Sequence, residues 1–171
     1  AGRSFWILDD LAAFQQKIEF EKLKILKPKP SYRILGGNSR RPSSTIGKNP
    51  LKGVILDYYL PQTLDTVVLR LDILKDNEVI RSYDNQKDKN IKTWPGGPAN
   101  KAFLKSKKGY NRFNWDLRRS SLPAIENIFV YGDYKGGVVP PGNYSARISY
   151  NNMVDETELV VLADPRINTS E

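Results

Sequence analysis

The 171-residue chain contains no cysteine and no histidine. Without cysteine it forms no disulfide, carries no thiolate nucleophile and offers no sulfur to a metal. Without histidine it lacks the commonest general base and the commonest transition-metal ligand. Ser-His-Asp and Cys-His mechanisms are therefore excluded, and an enzyme built from this chain would rely on carboxylates, lysine or tyrosine. No apolar run approaches the ~20 residues that cross a bilayer as a helix. No charged-then-apolar leader opens the chain, so no signal peptide is read in it. The missing cysteine does not assign a reducing compartment, since exported bacterial proteins also do without it.

What is present describes a globular protein. Hydrophobic residues make up 39% and charged residues 27%, a balance that supports a core. The net charge is +8 and unevenly spread. Lys17 to Lys48 holds nine basic residues against Glu19 and Glu21, and Lys101 to Arg119 holds seven against Asp116. Basic segments of this kind hold nucleic acid or acidic glycans when they converge on one face. Solvated lysines on loops are the preferred reading, and nucleic acid is not an expected partner.

Val139-Pro-Pro-Gly-Asn-Tyr-Ser-Ala-Arg-Ile-Ser-Tyr150 is the most structured phrase. A Pro-Pro-Gly turn opens it. Tyr144, Ala146, Ile148 and Tyr150 then alternate with Asn143, Ser145, Arg147 and Ser149, the pattern of a half-buried strand. Further strands are read at 54–60, 67–74, 79–83, 110–118 and 154–162, with a hairpin turn at Lys75-Asp-Asn-Glu78, a short strand at 128–131 and a primed turn at Asn151-Asn152. Short strands punctuated by turn signals predict an all-β sandwich. Ahead of it, residues 3–8 read as an apolar strand, and Leu11, Phe14 and Ile18 predict a short helix over 10–17 capped by Asp9 or Asp10. Residues 22–27 alternate as a strand, and residues 32–35 read as extended. Residues 36–50 read as a polar linker. The expected division is an extension over 1–47, a sandwich over 48–164 and a tail over 165–171. Phe5, Trp6 and Ile7 are expected to be partly buried.

Gly109-Tyr-Asn-Arg-Phe-Asn-Trp-Asp-Leu-Arg118 and Val139-Pro-Pro-Gly-Asn-Tyr144 together resemble paired strands of an Ig-like, fibronectin-III-related module. That module ends many secreted bacterial proteins and has a relative in the flagellar hook-capping protein. Gly2-Arg-Ser-Phe-Trp-Ile-Leu-Asp-Asp10 resembles the exit strand of a sortilin-type or bacterial-neuraminidase-repeat β-propeller, with Ala1 in the place of the usual histidine. The resemblance spans Gly2 to about Arg166. It implies an Ig-like antiparallel sandwich with an N-terminal extension, acting as a non-catalytic accessory domain beside the propeller of a larger glycosyl hydrolase-like protein. It further implies a secreted, periplasmic or cell-surface location. The propeller's Asp-box phrase is absent from this chain.

Candidate sites divide along the same line. Gly47-Lys48-Asn49 lacks the glycine and the hydroxyl residue of a phosphate-binding loop. Trp115 alternates with Phe113 and Leu117 and is read as core; Asp116 and Arg118 share the opposite face, where they could form a surface ion pair. The carboxylates Asp9, Asp10, Asp57, Asp155, Glu156 and Glu158 are read as caps and strand-edge charges, not as a facing glycosidase pair. The sequons at Asn143 and Asn168 carry no weight in a bacterial protein. No cofactor or metal site is expected. Trp94, Tyr131 and Tyr134 lie in polar loops outside any alternation, where aromatics stack on sugar rings. They are the candidate ligand residues, and a carbohydrate-binding module is the alternative function.

Overall fold

A computed structural model describes residues 11–19, 21–34, 51–86 and 94–167. Eight strands form among them: β1 (Lys24–Ile25), β2 (Ser31–Tyr32), β3 (Val54–Leu60), β4 (Arg70–Lys75), β5 (Glu78–Asp84), β6 (Gly109–Trp115), β7 (Gly142–Tyr150) and β8 (Met153–Leu162). They make two sheets, ordered β1-β3-β6 and β2-β8-β7-β4-β5. Every pairing is antiparallel except β2 with β8, which is parallel.

The alternation read in the sequence becomes the core. Leu56, Tyr58, Trp115, Leu71, Ile73, Tyr144, Ala146, Ile148 and Leu159 are all buried in one cluster between the sheets. The turn at Asp76-Asn77 places two successive residues at positive φ (51° and 66°), the geometry of a primed hairpin turn. Asn151 is also left-handed, at φ 49°.

The 21–34 segment enters both sheets. Leu23 and Ile25 are buried in the core, and β1 pairs with β3. Pro28 and Pro30 follow, and neither can donate to a ladder. The chain leaves the first sheet there and resumes as β2 beside β8 in the second. Asp155 reinforces the crossing, accepting from the Ile25 N–H at 2.7 Å and from the Lys24 ammonium at 3.2 Å.

Three local expectations are corrected. No helix forms among the described residues of the 10–17 stretch. Residues 11–16 make one turn, with Phe14 N–H and Gln15 N–H both donating to Leu11 O. Leu11 and Phe14 stay half exposed, so no apolar face is buried to offset the cost of helix nucleation. The Gln16 side chain instead holds the turn against Lys27, accepting from its N–H and donating to its C=O. The strand expected at 128–131 is also absent. Ile128, Phe129 and Tyr131 are exposed together, and Asn127 adopts φ 63°. The strand expected from Val67 begins at Arg70, because the Asn85 amide side chain occupies the backbone of 67–69: it accepts from Leu69 N–H and donates to Val67 O. The strand at 3–8, the burial of Phe5, Trp6 and Ile7, the caps at Asp9 and Asp10, the linker at 36–50 and the Asn168 sequon lie outside the described residues.

Candidate functional site

The phrase Trp115-Asp-Leu-Arg118 forms the base of the candidate surface. Trp115 is wholly buried, and its indole N–H donates to Arg118 O at 3.0 Å. The Asp116 carboxylate accepts from Arg118 N–H at 3.2 Å. Between them Leu117 takes φ 59°, a left-handed conformation that costs a leucine about 1–2 kcal/mol. The Arg118 guanidinium turns away from Asp116 and donates to Gly136 O at 2.9 Å. These contacts kink the chain out of β6 and start the long loop 119–138.

That loop is tied down at both ends. Arg119 N–H donates to Gly137 O, Ser120 N–H to Ile80 O and Leu122 N–H to Tyr134 O at 2.7–3.0 Å. Its middle is tied to the turn at 94–97. Trp94 donates its indole N–H to Ile128 O at 2.8 Å, and Val130 N–H reaches Gly96 O at 3.4 Å. Gly96 has φ 72°, and a Cβ there would lie 2.6 Å from the Phe129 ring. Only glycine lets the two loops approach so closely.

Yet the loop buries few of its apolar side chains. Leu122, Ile125, Ile128, Phe129 and Tyr131 are five of ten consecutive residues, and each is 47–100% exposed. Phe129 and Tyr131 pack edge to face at 5.3 Å, with Tyr131 entirely in solvent. Of the aromatics singled out in the sequence, Trp94 and Tyr131 both belong to this tip, Trp94 through Ile128 and Tyr131 through Phe129. Trp94 is half-buried, its N–H is engaged and its ring lies against Gly97. Tyr134 is half-buried at the loop base. Phe129 and Ile125 were not singled out, since no periodicity marks a loop residue; the density of apolar residues from Leu122 to Tyr131 was the available signal.

Below the tip lies a cleft of about 540 Å³ between β5, the 98–103 segment and the start of the loop. Arg81, Ser82, Tyr83, Lys101, Phe103 and Leu122 are among its lining residues. Arg81 donates to Arg119 O and to the Ser121 hydroxyl and lies over the Tyr83 ring at 5.1 Å. Burial pushes the Tyr83 phenol up to about 12.

The carboxylates hold ion pairs elsewhere. Asp57 takes both arms of Arg112 at 2.7 and 2.9 Å, Asp155 takes Lys24, Glu156 takes Arg147 and Glu158 takes Lys27. Hydrogen bonds from Ser145 and Arg147 hold the Glu156 carboxyl below its ordinary range. Among the described residues no three acidic side chains gather where they would hold a metal ion, and no helix is long and apolar enough to cross a membrane. The same pairs neutralise Lys24, Lys27 and Arg112 in the two basic segments.

Comparison of the chain with protein-family models, with curated proteins and with solved structures finds no match.

Proposed function

We propose that the chain is an Ig-like, fibronectin-III-related accessory module of a larger exported, glycosyl hydrolase-like protein, that it performs no catalysis itself, and that it docks on the neighbouring β-propeller through the Leu122–Tyr131 loop. One observation carries the reading: an anchored loop that exposes five large apolar side chains in ten residues. Scattered exposed apolar residues are ordinary, whereas a contiguous cluster on a constrained segment marks a contact surface. The ties to Ile80, Gly96 and Trp94 limit the entropy that ordering the loop on a partner would cost.

Two features support the Ig-like assignment. The first strand region splits between the sheets, and its second half runs parallel to the last strand. At the start of β7 the Tyr144 hydroxyl donates to Pro140 O, four residues upstream, at 2.7 Å. This is the arrangement of a tyrosine corner, which stabilises the turn between two strands of an Ig-like sandwich.

The test is a fluorescence titration of this chain against the separately produced propeller. Saturable binding weakened by Phe129→Ser and Tyr131→Ser supports the reading; no association at high micromolar concentration removes it. The alternative, a carbohydrate-binding module, rests on Phe129 and Tyr131 more than on Trp94, whose ring is half covered. Glycan-array binding lost on Tyr131→Ala would favour it.

A further inference from the structure

Strand β5 is an edge of the five-stranded sheet. An edge strand presents alternate N–H and C=O groups outward, and other parts of a chain normally cover them. Among the described residues this cover has a gap. Ile80 O accepts from Ser120 N–H at 2.9 Å and from the Ser120 hydroxyl at 3.1 Å. Asp84 O accepts from Leu104 N–H at 2.9 Å. Ser82 lies midway. Because Asp84 O points outward, strand alternation turns the Ser82 N–H and C=O outward as well. Neither group has a partner among the described residues; the hydrogen bonds of Ser82 all run through its hydroxyl, to Asp72 and Arg70. The gap opens into the 540 Å³ cleft, with the 98–103 segment as its far wall.

We propose that this cleft binds a short extended peptide segment, which completes the ladder at Ser82 as one added stretch of strand. The chemistry identifies the ligand class. An outward N–H and C=O on one residue of an edge strand match the two groups that one residue of an extended backbone presents, which is how strand addition gives affinity. The gap from Arg81 to Tyr83 is about 10 Å long at ~3.3 Å per residue, so two or three ligand residues fill it. Phe103, Leu122 and Ala124 line the cleft and favour apolar side chains. Arg81 and Lys101 outnumber Asp84 at its walls, which disfavours a basic segment. The site is distinct from the exposed Phe129–Tyr131 tip and does not depend on a propeller as partner.

The experiment uses acetyl-Val-Thr-Val-Thr-Val-amide as the probe and reads the exchange rate of the Ser82 amide hydrogen by NMR, together with shift changes around the cleft. Saturating peptide slows exchange at Ser82 about tenfold. The same peptide N-methylated at its central valine, which lacks the donor, binds at least about fivefold more weakly. Two variants separate backbone from side chain. Ser82→Ala removes the hydroxyl, keeps the N–H and binds within about twofold of the parent. Ser82→Pro removes the outward N–H together with the same hydroxyl, at an edge-strand position where proline is tolerated, and binding falls about tenfold relative to the Ser82→Ala variant. Ala102→Trp, on an exposed wall residue, blocks the cleft with β5 untouched and also abolishes binding, so the proposal stays testable if the proline variant does not fold. Unchanged Ser82 exchange with peptide present, or full binding by the Ala102→Trp variant, overturns it. So does protection of Ser82 by cellohexaose but not by the peptide, which would make the cleft a sugar site.

Discussion

Tyr144 and Tyr150 sit on the same strand and the same face, and both are buried. Their hydroxyls differ. Tyr144 donates to Pro140 O at 2.7 Å, and its ring packs on Trp115 with centroids 5.7 Å apart. The Tyr150 hydroxyl is buried with no partner among the described residues. Removing a satisfied buried hydroxyl orphans its acceptor, whereas removing an unsatisfied one relieves a desolvation penalty. Tyr144→Phe should therefore lower unfolding free energy by about 1–2 kcal/mol, and Tyr150→Phe should be neutral or slightly stabilising. Urea unfolding with unchanged slope measures both; equal losses would contradict the assignment. Tyr83 sets the alkaline limit at the same scale. Burial holds its folded-state value up at about 12 and also raises that of Tyr58, while an unfolded tyrosine ionises near ~10. The unfolded chain thus releases protons first. Stability is fully present below about pH 10 and declines as pH rises toward 12. Urea midpoints at pH 9 and 11 check the sign, and equal midpoints would refute it.

The elements show where sequence was readable. Strand β6 from Tyr110, β7 from Tyr144, β3 as far as Tyr58 and β8 from Asp155 alternate because each has one face on the core, and their positions follow from that period. The turn at Asp76-Asn77 was readable from its residue types. What was not readable depends on contacts between distant residues. Leu11, Phe14 and Ile18 have helical spacing, but the core takes Ala13, Leu23 and Ile25 instead. The start of β4 depends on Asn85, a side chain 16 residues from Leu69. The sharing of residues 24–32 between two sheets rests on ladders to β3 and β8 and is reinforced by Asp155, some 130 residues from Ile25. At the tip, Trp94 was legible as a loop aromatic, while its tie to Ile128, 34 residues on, was not. One contrast tests this picture of the extension. Ile25→Ala should cost about 2–4 kcal/mol as a buried core truncation, whereas Phe14→Ala should cost under about 1 kcal/mol. Thermal unfolding of the two variants measures the difference; a large loss at Phe14 would restore the helix to the core.

At the scale of the whole molecule, the interior and the surface have separate roles. The core joins the two sheets through Trp115, Tyr58 and the inner face of β7. Strand charges are largely held in pairs, Asp57 with Arg112 and Arg147 with Glu156, so the net charge of +8 is left to residues outside those pairs. Among the described residues the densest run of exposed apolar side chains is one loop, Leu122 to Tyr131, held at its base by the Trp115-Asp-Leu-Arg118 kink and at its middle by Trp94. The phrases that define the scaffold thereby set out the surface that we propose as the contact. The most direct measurement is the titration of this chain, and of its Phe129→Ser/Tyr131→Ser variant, against the propeller. The account predicts saturable binding by the parent chain and at least a tenfold weaker affinity for the variant, with both proteins unfolding at the same urea midpoint. Equal affinity of the two, or no binding by either at high micromolar concentration, would contradict it.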